Sequence, residues 1–95
     1  MRLRAKVDVN QKPIVALARA YGCSVTSLAP IGNGCPDLLI GYRGHTLLVE
    51  VKTAKGTLTS DQELFIRDWQ GSPVQIVRSE EELVAVLRAV GKGER

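Results

Sequence analysis

The chain has two cysteines and one histidine among its 95 residues. A zinc site draws about four ligands at recognisable spacings, and none are present. Cys23 and Cys35 have no second thiol near either, so two buried, reduced thiols are expected; a disulfide between them is the alternative. No apolar run approaches the ~18 residues that cross a bilayer, which argues against a membrane partner. The start, "MRLRAKVDVNQ", carries basic residues with no apolar h-region behind them, so it does not read as a signal peptide. The expected compartment is the cytoplasm. Charge of one sign is also scarce. The net charge is +3 and the isoelectric point about 9.1, a balance that permits nucleic-acid binding without diagnosing it. Arg2, Arg4, Lys6 and Lys12 bunch near the N-terminus, Lys92 and Arg95 near the C-terminus.

What is present reads as one domain, with 44% hydrophobic and 24% charged residues. Its core spans about residues 8–90, between a basic N-terminal tail (1–7) and a C-terminal tail (91–95). From Asp8 to Tyr21, Ile14, Leu17, Ala18 and Tyr21 recur at helical spacing, with Asp8 or Asn10 as N-cap, Pro13 in the first turn and Gly22 as the stop. "CSVTSLAP" alternates as a strand, and "IGNGCP" is punctuation. A hairpin follows, Asp37 to Tyr42 and His45 to Thr53. A loop then leads to a helix over Ser60 to Trp69, whose inner face would be Leu64, Phe65 and Trp69. "VQIV" is a fourth strand. Ser79-Glu80-Glu81-Glu82 is a capping-box start for a last helix carrying Leu83, Val84, Leu87 and Val90. A strand reached through a helix favours a parallel crossover. The fold class is therefore α/β: a four-stranded mixed sheet flanked by helices, in the order α-β-β-β-α-β-α.

The hairpin contains the anomaly. In "GCPDLLIGYRGHTLLVEVK", Asp37 stands at one end of an apolar run, and Glu50 and Lys52 interrupt the other. A two-residue turn at Arg43-Gly44 pairs Tyr42 with His45. Counting outwards from that pair sets Asp37 opposite Glu50. Opposed residues share a face with Cβ atoms about 4.5–5.5 Å apart, and Lys52, two residues on, shares it too. Two close carboxylates repel unless positive charge sits with them. Lys52 supplies one charge and a divalent cation would supply two. Mg²⁺ is held by one or two carboxylates with waters and phosphate oxygens. The chemistry this points to is metal-assisted phosphodiester hydrolysis. The plainer alternative is a Glu50–Lys52 ion pair with Asp37 capping a turn after Pro36. On spacing alone both stand.

These same residues resemble a known family. Pro36-Asp37 followed by Glu50-Val51-Lys52 is similar to the motif of the PD-(D/E)XK nuclease superfamily. "GNGCPDLLIG", "LLVEVKTAKGTLTSDQ" and "VQIVRSEEEL" together resemble the small VRR-NUC (virus-type replication-repair nuclease) domain in its stand-alone form from phages and bacteria. The likeness runs from about Asp8 to Leu87. It implies a restriction-endonuclease-like core and a Mg²⁺- or Mn²⁺-dependent endonuclease acting on DNA. It also implies similarity to Holliday-junction resolvases, hence selectivity for branched DNA and a homodimer, in a bacterial or phage-infected cell. Carried over by position, Asp37, Glu50 and the Val51 backbone carbonyl would be metal ligands and Lys52 the catalytic lysine. Gln62 matches a recurrent glutamine that orients the lysine or contacts DNA. Thr59-Ser60-Asp61-Gln62 is equally a capping box. Relatives often carry a first-helix glutamate as an extra ligand. This chain has none there; Asp8, Asn10 and Gln11 are nearest, with Asp8 as the substitute ligand or merely a helix cap.

Gly34, with Gly32 and Asn33, could present N–H groups to a phosphate backbone or simply turn the loop. Arg43 and Lys55 are candidate phosphate contacts or plain surface charges. His45 is expected to be exposed. No nucleotide cofactor is expected, because "GNGCPD" leads into a strand where a dinucleotide fingerprint would open a helix. The rival to an enzyme is a catalytically silent DNA- or protein-binding module on a nuclease fold. Against it stands the intact Asp37, Glu50 and Lys52 set.

Overall fold

The computed structural model describes residues 10–92. Its elements are α1 (Gln11–Ala20), β1 (Ser24–Ser27), a 3-10 turn (Ala29–Ile31), β2 (Leu38–Tyr42), β3 (His45–Val51), α2 (Ser60–Asp68), β4 (Gln75–Val77) and α3 (Glu80–Lys92). The four strands form one sheet in the order β1-β2-β3-β4. β1, β2 and β3 pair antiparallel, and β4 pairs parallel to β3. The α/β class, the mixed sheet and the element order are those the sequence implies.

Strand alternation divides the sheet into two faces. Leu38, Ile40, Leu47, Val49, Val51 and Val77 point to one side and are buried with Ile14 and Ala18 of α1 and Leu83 and Leu87 of α3. Burying each aliphatic side chain of this kind is worth roughly 1.5–3 kcal/mol, so this layer carries most of the stability. The other face bears Leu39, Leu48, Glu50 and Ile76, read from the pairs Leu39↔Leu48 and Glu50↔Ile76. It is only partly covered: Leu39 and Ile76 stay exposed.

The hairpin register is the expected one. Tyr42 pairs with His45 and Leu38 with Val49. Arg43 and Gly44 both have positive φ (51° and 83°), the signature of a type I′ turn, whose twist suits a two-residue hairpin.

Several details differ from the expectation. α1 starts at Gln11, and Asn10 occupies the N-cap position without a side-chain capping bond; Asp8 lies outside the described residues. β1 stops at Ser27, where the chain turns into the 3-10 segment containing Pro30. α2 buries no residue. Leu64 and Trp69, expected on its inner face, are exposed, and Gln62, Phe65 and Ile66 take the half-buried side instead. Phe65 and Trp69 lie one turn apart and stack on each other, with ring centroids 5.3 Å apart and planes 14° off parallel. Each ring thus shields the other while staying at the helix surface. At α3, Ser79 caps as expected, Oγ accepting from Glu82 N at 3.1 Å. The Glu82 carboxylate, however, accepts from the N–H of Arg78 rather than of Ser79.

Candidate active site

The site forms where β2 begins and β3 ends. Asp37 immediately precedes β2, and its Oδ2 accepts a hydrogen bond from Val51 N at 2.8 Å. The register explains why. One step beyond the Leu38↔Val49 pair, Asp37 opposes Glu50, and one step further Pro36 opposes Val51. Proline has no N–H. Lys52 N donates to Val77 O at 3.0 Å, so Glu50 and Lys52 bond toward β4 and the Val51 peptide groups face β2. With Pro36 opposite, the Val51 N–H goes to the Asp37 carboxylate, and its carbonyl receives no ladder bond from that side. One residue therefore anchors an acidic side chain and offers a carbonyl oxygen in the same direction. Asp37 Oδ1 accepts no hydrogen bond among the described residues.

Glu50 is 2% exposed. A buried carboxylate needs partners. Lys52 Nζ lies 3.8 Å from its Oε2, and Gln62 Nε2 donates to the same oxygen at 3.0 Å. The Gln62 carbonyl oxygen accepts from Thr59 N at 2.9 Å, while Gln62 N donates to Thr59 Oγ1 at 3.1 Å. The capping reading of Gln62 is thus realised, and the nitrogen of the same amide reaches Glu50 rather than Lys52. A backbone N–H can only donate, so the amide oxygen must face Thr59, which turns the NH₂ toward Glu50. Gln62→Glu separates the two roles: it keeps the cap acceptor but sets a second carboxylate against Glu50. We expect this variant to unfold at lower temperature than wild type at neutral pH, where two adjacent carboxylates repel. A helix-cap role alone would leave its melting temperature unchanged.

Gly34 holds this arrangement from the other side. Its φ is +80°, and a Cβ there would run into the Asp61 carbonyl and come within 2.9 Å of Gln62 N. The loop before the hairpin therefore packs backbone-to-backbone on the first turn of α2.

Cys35 borders the site as a half-buried free thiol, and Cys23 is a buried one, so no disulfide joins them. Both thiols are free, as expected, but the expected burial holds only for Cys23. Burial raises both thiol pKa values; at Cys35 the Glu50 and Asp37 charges raise it further. Thiols whose folded pKa is raised favour folding below their unfolded pKa of about 8.5 and oppose it above. Stability should therefore fall as pH rises through the folded values. In Cys35→Ser that alkaline loss should shrink, read by thermal melts between pH 7 and 10.

The remaining sequence candidates are scattered. Lys55 is exposed in the connection between β3 and α2, at the site's end of the sheet. Arg43 sits in the hairpin turn, ~20 Å away along the strands at about 3.3 Å per residue. There its guanidinium lies 5.4 Å from the Tyr42 ring centroid. His45 is exposed, as expected. Asp8 lies outside the described residues. Among the described residues, no group of three or more His, Cys, Asp or Glu side chains is spaced to hold a metal ion.

Two contributors carry no motif. Asn10 Nδ2 donates to Lys52 O at 2.8 Å and Arg78 O at 3.0 Å, tying the ends of β3 and β4 to α1. Arg78 Nη1 donates to Thr53 O and Gly56 O at 2.8 and 2.6 Å.

Compared with family models, curated proteins and solved structures, the chain finds no match.

Proposed function

We propose that the protein is a metal-dependent, structure-selective endonuclease that hydrolyses phosphodiester bonds in branched DNA, Holliday junctions included. The observation that carries this reading is the Val51 N–H, which anchors Asp37 beside buried Glu50 and half-buried Lys52, strand geometry turning the Val51 carbonyl to the same side. Two carboxylates and one carbonyl form an all-oxygen donor set of the kind Mg²⁺ or Mn²⁺ accepts, with waters and phosphate oxygens completing the shell. Asp37, Glu50 and the Val51 carbonyl would hold the ion. When bound, it would polarise a phosphoryl oxygen and lower the pKa of a water.

The protein's own groups do the rest. Gln62 and Lys52 fix the Glu50 carboxylate in one orientation. The Lys52 ammonium, 3.8 Å from Glu50, orients the attacking water and offsets negative charge developing on the phosphate. Approach by DNA is restricted by charge. α2 carries Asp61, Glu63 and Asp68 against Arg67, and α3 opens with three glutamates, so both repel phosphate. Lys52 and Lys55 leave the β3–α2 connection as the favourable path. A domain this size has little surface to read bases, and phosphate and shape contacts suit it better.

Cutting both strands of a junction needs two sites, hence two chains. Leu64 and Trp69, 47% and 44% exposed, offer a second copy an apolar surface on α2. Sedimentation should show a dimer at micromolar concentration that Trp69→Ser weakens; a monomer with and without DNA would remove this part.

The test of the activity is cleavage of labelled four-way junctions, flaps, duplex and single strands in Mg²⁺, Mn²⁺ or EDTA. Metal-dependent cutting that favours branched substrates is expected. Junction binding without cutting in either metal would replace the enzyme with a binding module.

A further inference from the structure

The catalytic reading explains why Lys52 is present but not what holds its long side chain. Lys52 is the first residue past β3, and its backbone is fixed at both ends: N–H to Val77 O, carbonyl to Asn10 Nδ2. The chain then makes a turn from Thr53 to Gly56, closed by Gly56 N donating to Thr53 O at 3.1 Å. The Lys52 stem passes close to this turn, near enough for a side chain on Gly56 to touch it. A Cβ built on Gly56 would stand 3.6 Å from Lys52 Cδ and 3.0 Å from Thr53 Oγ1.

What fixes the turn is Arg78. The β3–β4 register pairs Glu50 with Ile76 and Val51 with Val77. Arg78 therefore follows at the level of Lys52 and on the same face. Its Nη1 donates to both carbonyls that end the turn, while its own N–H is held by Glu82 Oε1 at 2.7 Å and its carbonyl by Asn10. A planar guanidinium loses less freedom per hydrogen bond than an ammonium would in such a bridge.

We propose that Arg78 is a positioning residue for Lys52: by fixing the Thr53–Gly56 turn it presses the lysine stem into the one path that brings Nζ to Glu50. This rests on the nuclease reading for its consequence, but the positioning itself can be read without any cleavage.

The test compares wild type, Arg78→Gln and Gly56→Val in the full chain. Gly56→Val leaves Arg78 intact and crowds the stem directly, so it serves if Arg78→Gln does not fold. Lys52 acetylation, followed by peptide mass spectrometry, should rise severalfold in both variants while acetylation of Lys12, exposed on α1, stays constant. Single-turnover cleavage at saturating junction should fall about tenfold or more, since small misplacements of a reacting group are costly. Junction affinity in Ca²⁺ should not change. The opposite pattern overturns the proposal: Lys52 acetylation unchanged, with affinity weakened and a shallower salt dependence, would make Arg78 a phosphate contact. If wild type cuts no DNA, the nuclease reading fails, and Lys52 acetylation alone still decides whether Arg78 positions the lysine.

Discussion

Replacing Lys52 by alanine should lower single-turnover cleavage by ~10²–10³-fold, the usual loss when a preorganised group facing developing charge is removed. Junction binding should persist, because the ammonium sits against Glu50 and is one of several basic groups available to phosphate. The fold should persist too. The Lys52–Glu50 separation is 3.8 Å, and the Gln62 bond to the same Glu50 oxygen survives, so the carboxylate does not lose its last donor. The variant should melt cooperatively and retain its circular dichroism. A variant that cuts at the wild-type rate would make Lys52 a structural counter-ion.

Gly34→Ala should have the largest effect on stability of any change to a residue lacking a functional group. The position combines positive φ with backbone contact to Asp61 and Gln62, and neither chain can yield without moving the loop or the start of α2. Strain of this kind costs on the order of 2 kcal/mol or more, which for a domain this small lowers the melting temperature by about 10 °C. Cleavage should fall as well, because displacing the first turn of α2 takes Gln62 away from Glu50. Gly44→Ala is the control. Its φ is +83° but open space surrounds it, so it should cost only the left-handed strain of about 1 kcal/mol and leave cleavage intact. Equal losses from both variants would show that the contact between Gly34 and α2 carries no load.

The contrast between these residues shows what could be read in advance. A two-residue turn at Arg43-Gly44 was enough to give the register, and the register alone brought Asp37, Glu50 and Lys52 to one end of the hairpin. The capping pattern Thr59 to Gln62 was equally legible, but not that the amide's other end reaches Glu50. Local spacing says nothing about contacts made across the fold. Arg78 was invisible as a site residue for the same reason, and Asn10, legible only as a helix cap or a neighbour of the missing glutamate ligand, gave no sign of the carbonyls it holds. Asn10 meets carbonyls 42 and 68 residues away, and both side chains act on backbone atoms, which leave no mark in residue type. The inner face assigned to α2 held for Phe65 but not for Leu64 and Trp69, because hydrophobic periodicity gives a stripe without naming what covers it. Here Trp69 stacks on Phe65 at the surface, and Gln62 shares the half-buried side with Phe65 and Ile66.

The most direct measurement is a titration of ¹⁵N-labelled protein with Mn²⁺, following paramagnetic broadening of each amide. Three acidic regions compete for the ion: Asp37 with Glu50, Asp61 with Glu63, and Glu80 to Glu82. The amides of Asp37, Glu50, Val51 and Lys52 should broaden first in wild type and no longer do so in Asp37→Asn. Broadening that starts at Glu80 to Glu82 or spreads evenly over the acidic surface would contradict a metal site at the end of the hairpin, and with it the assignment of catalysis.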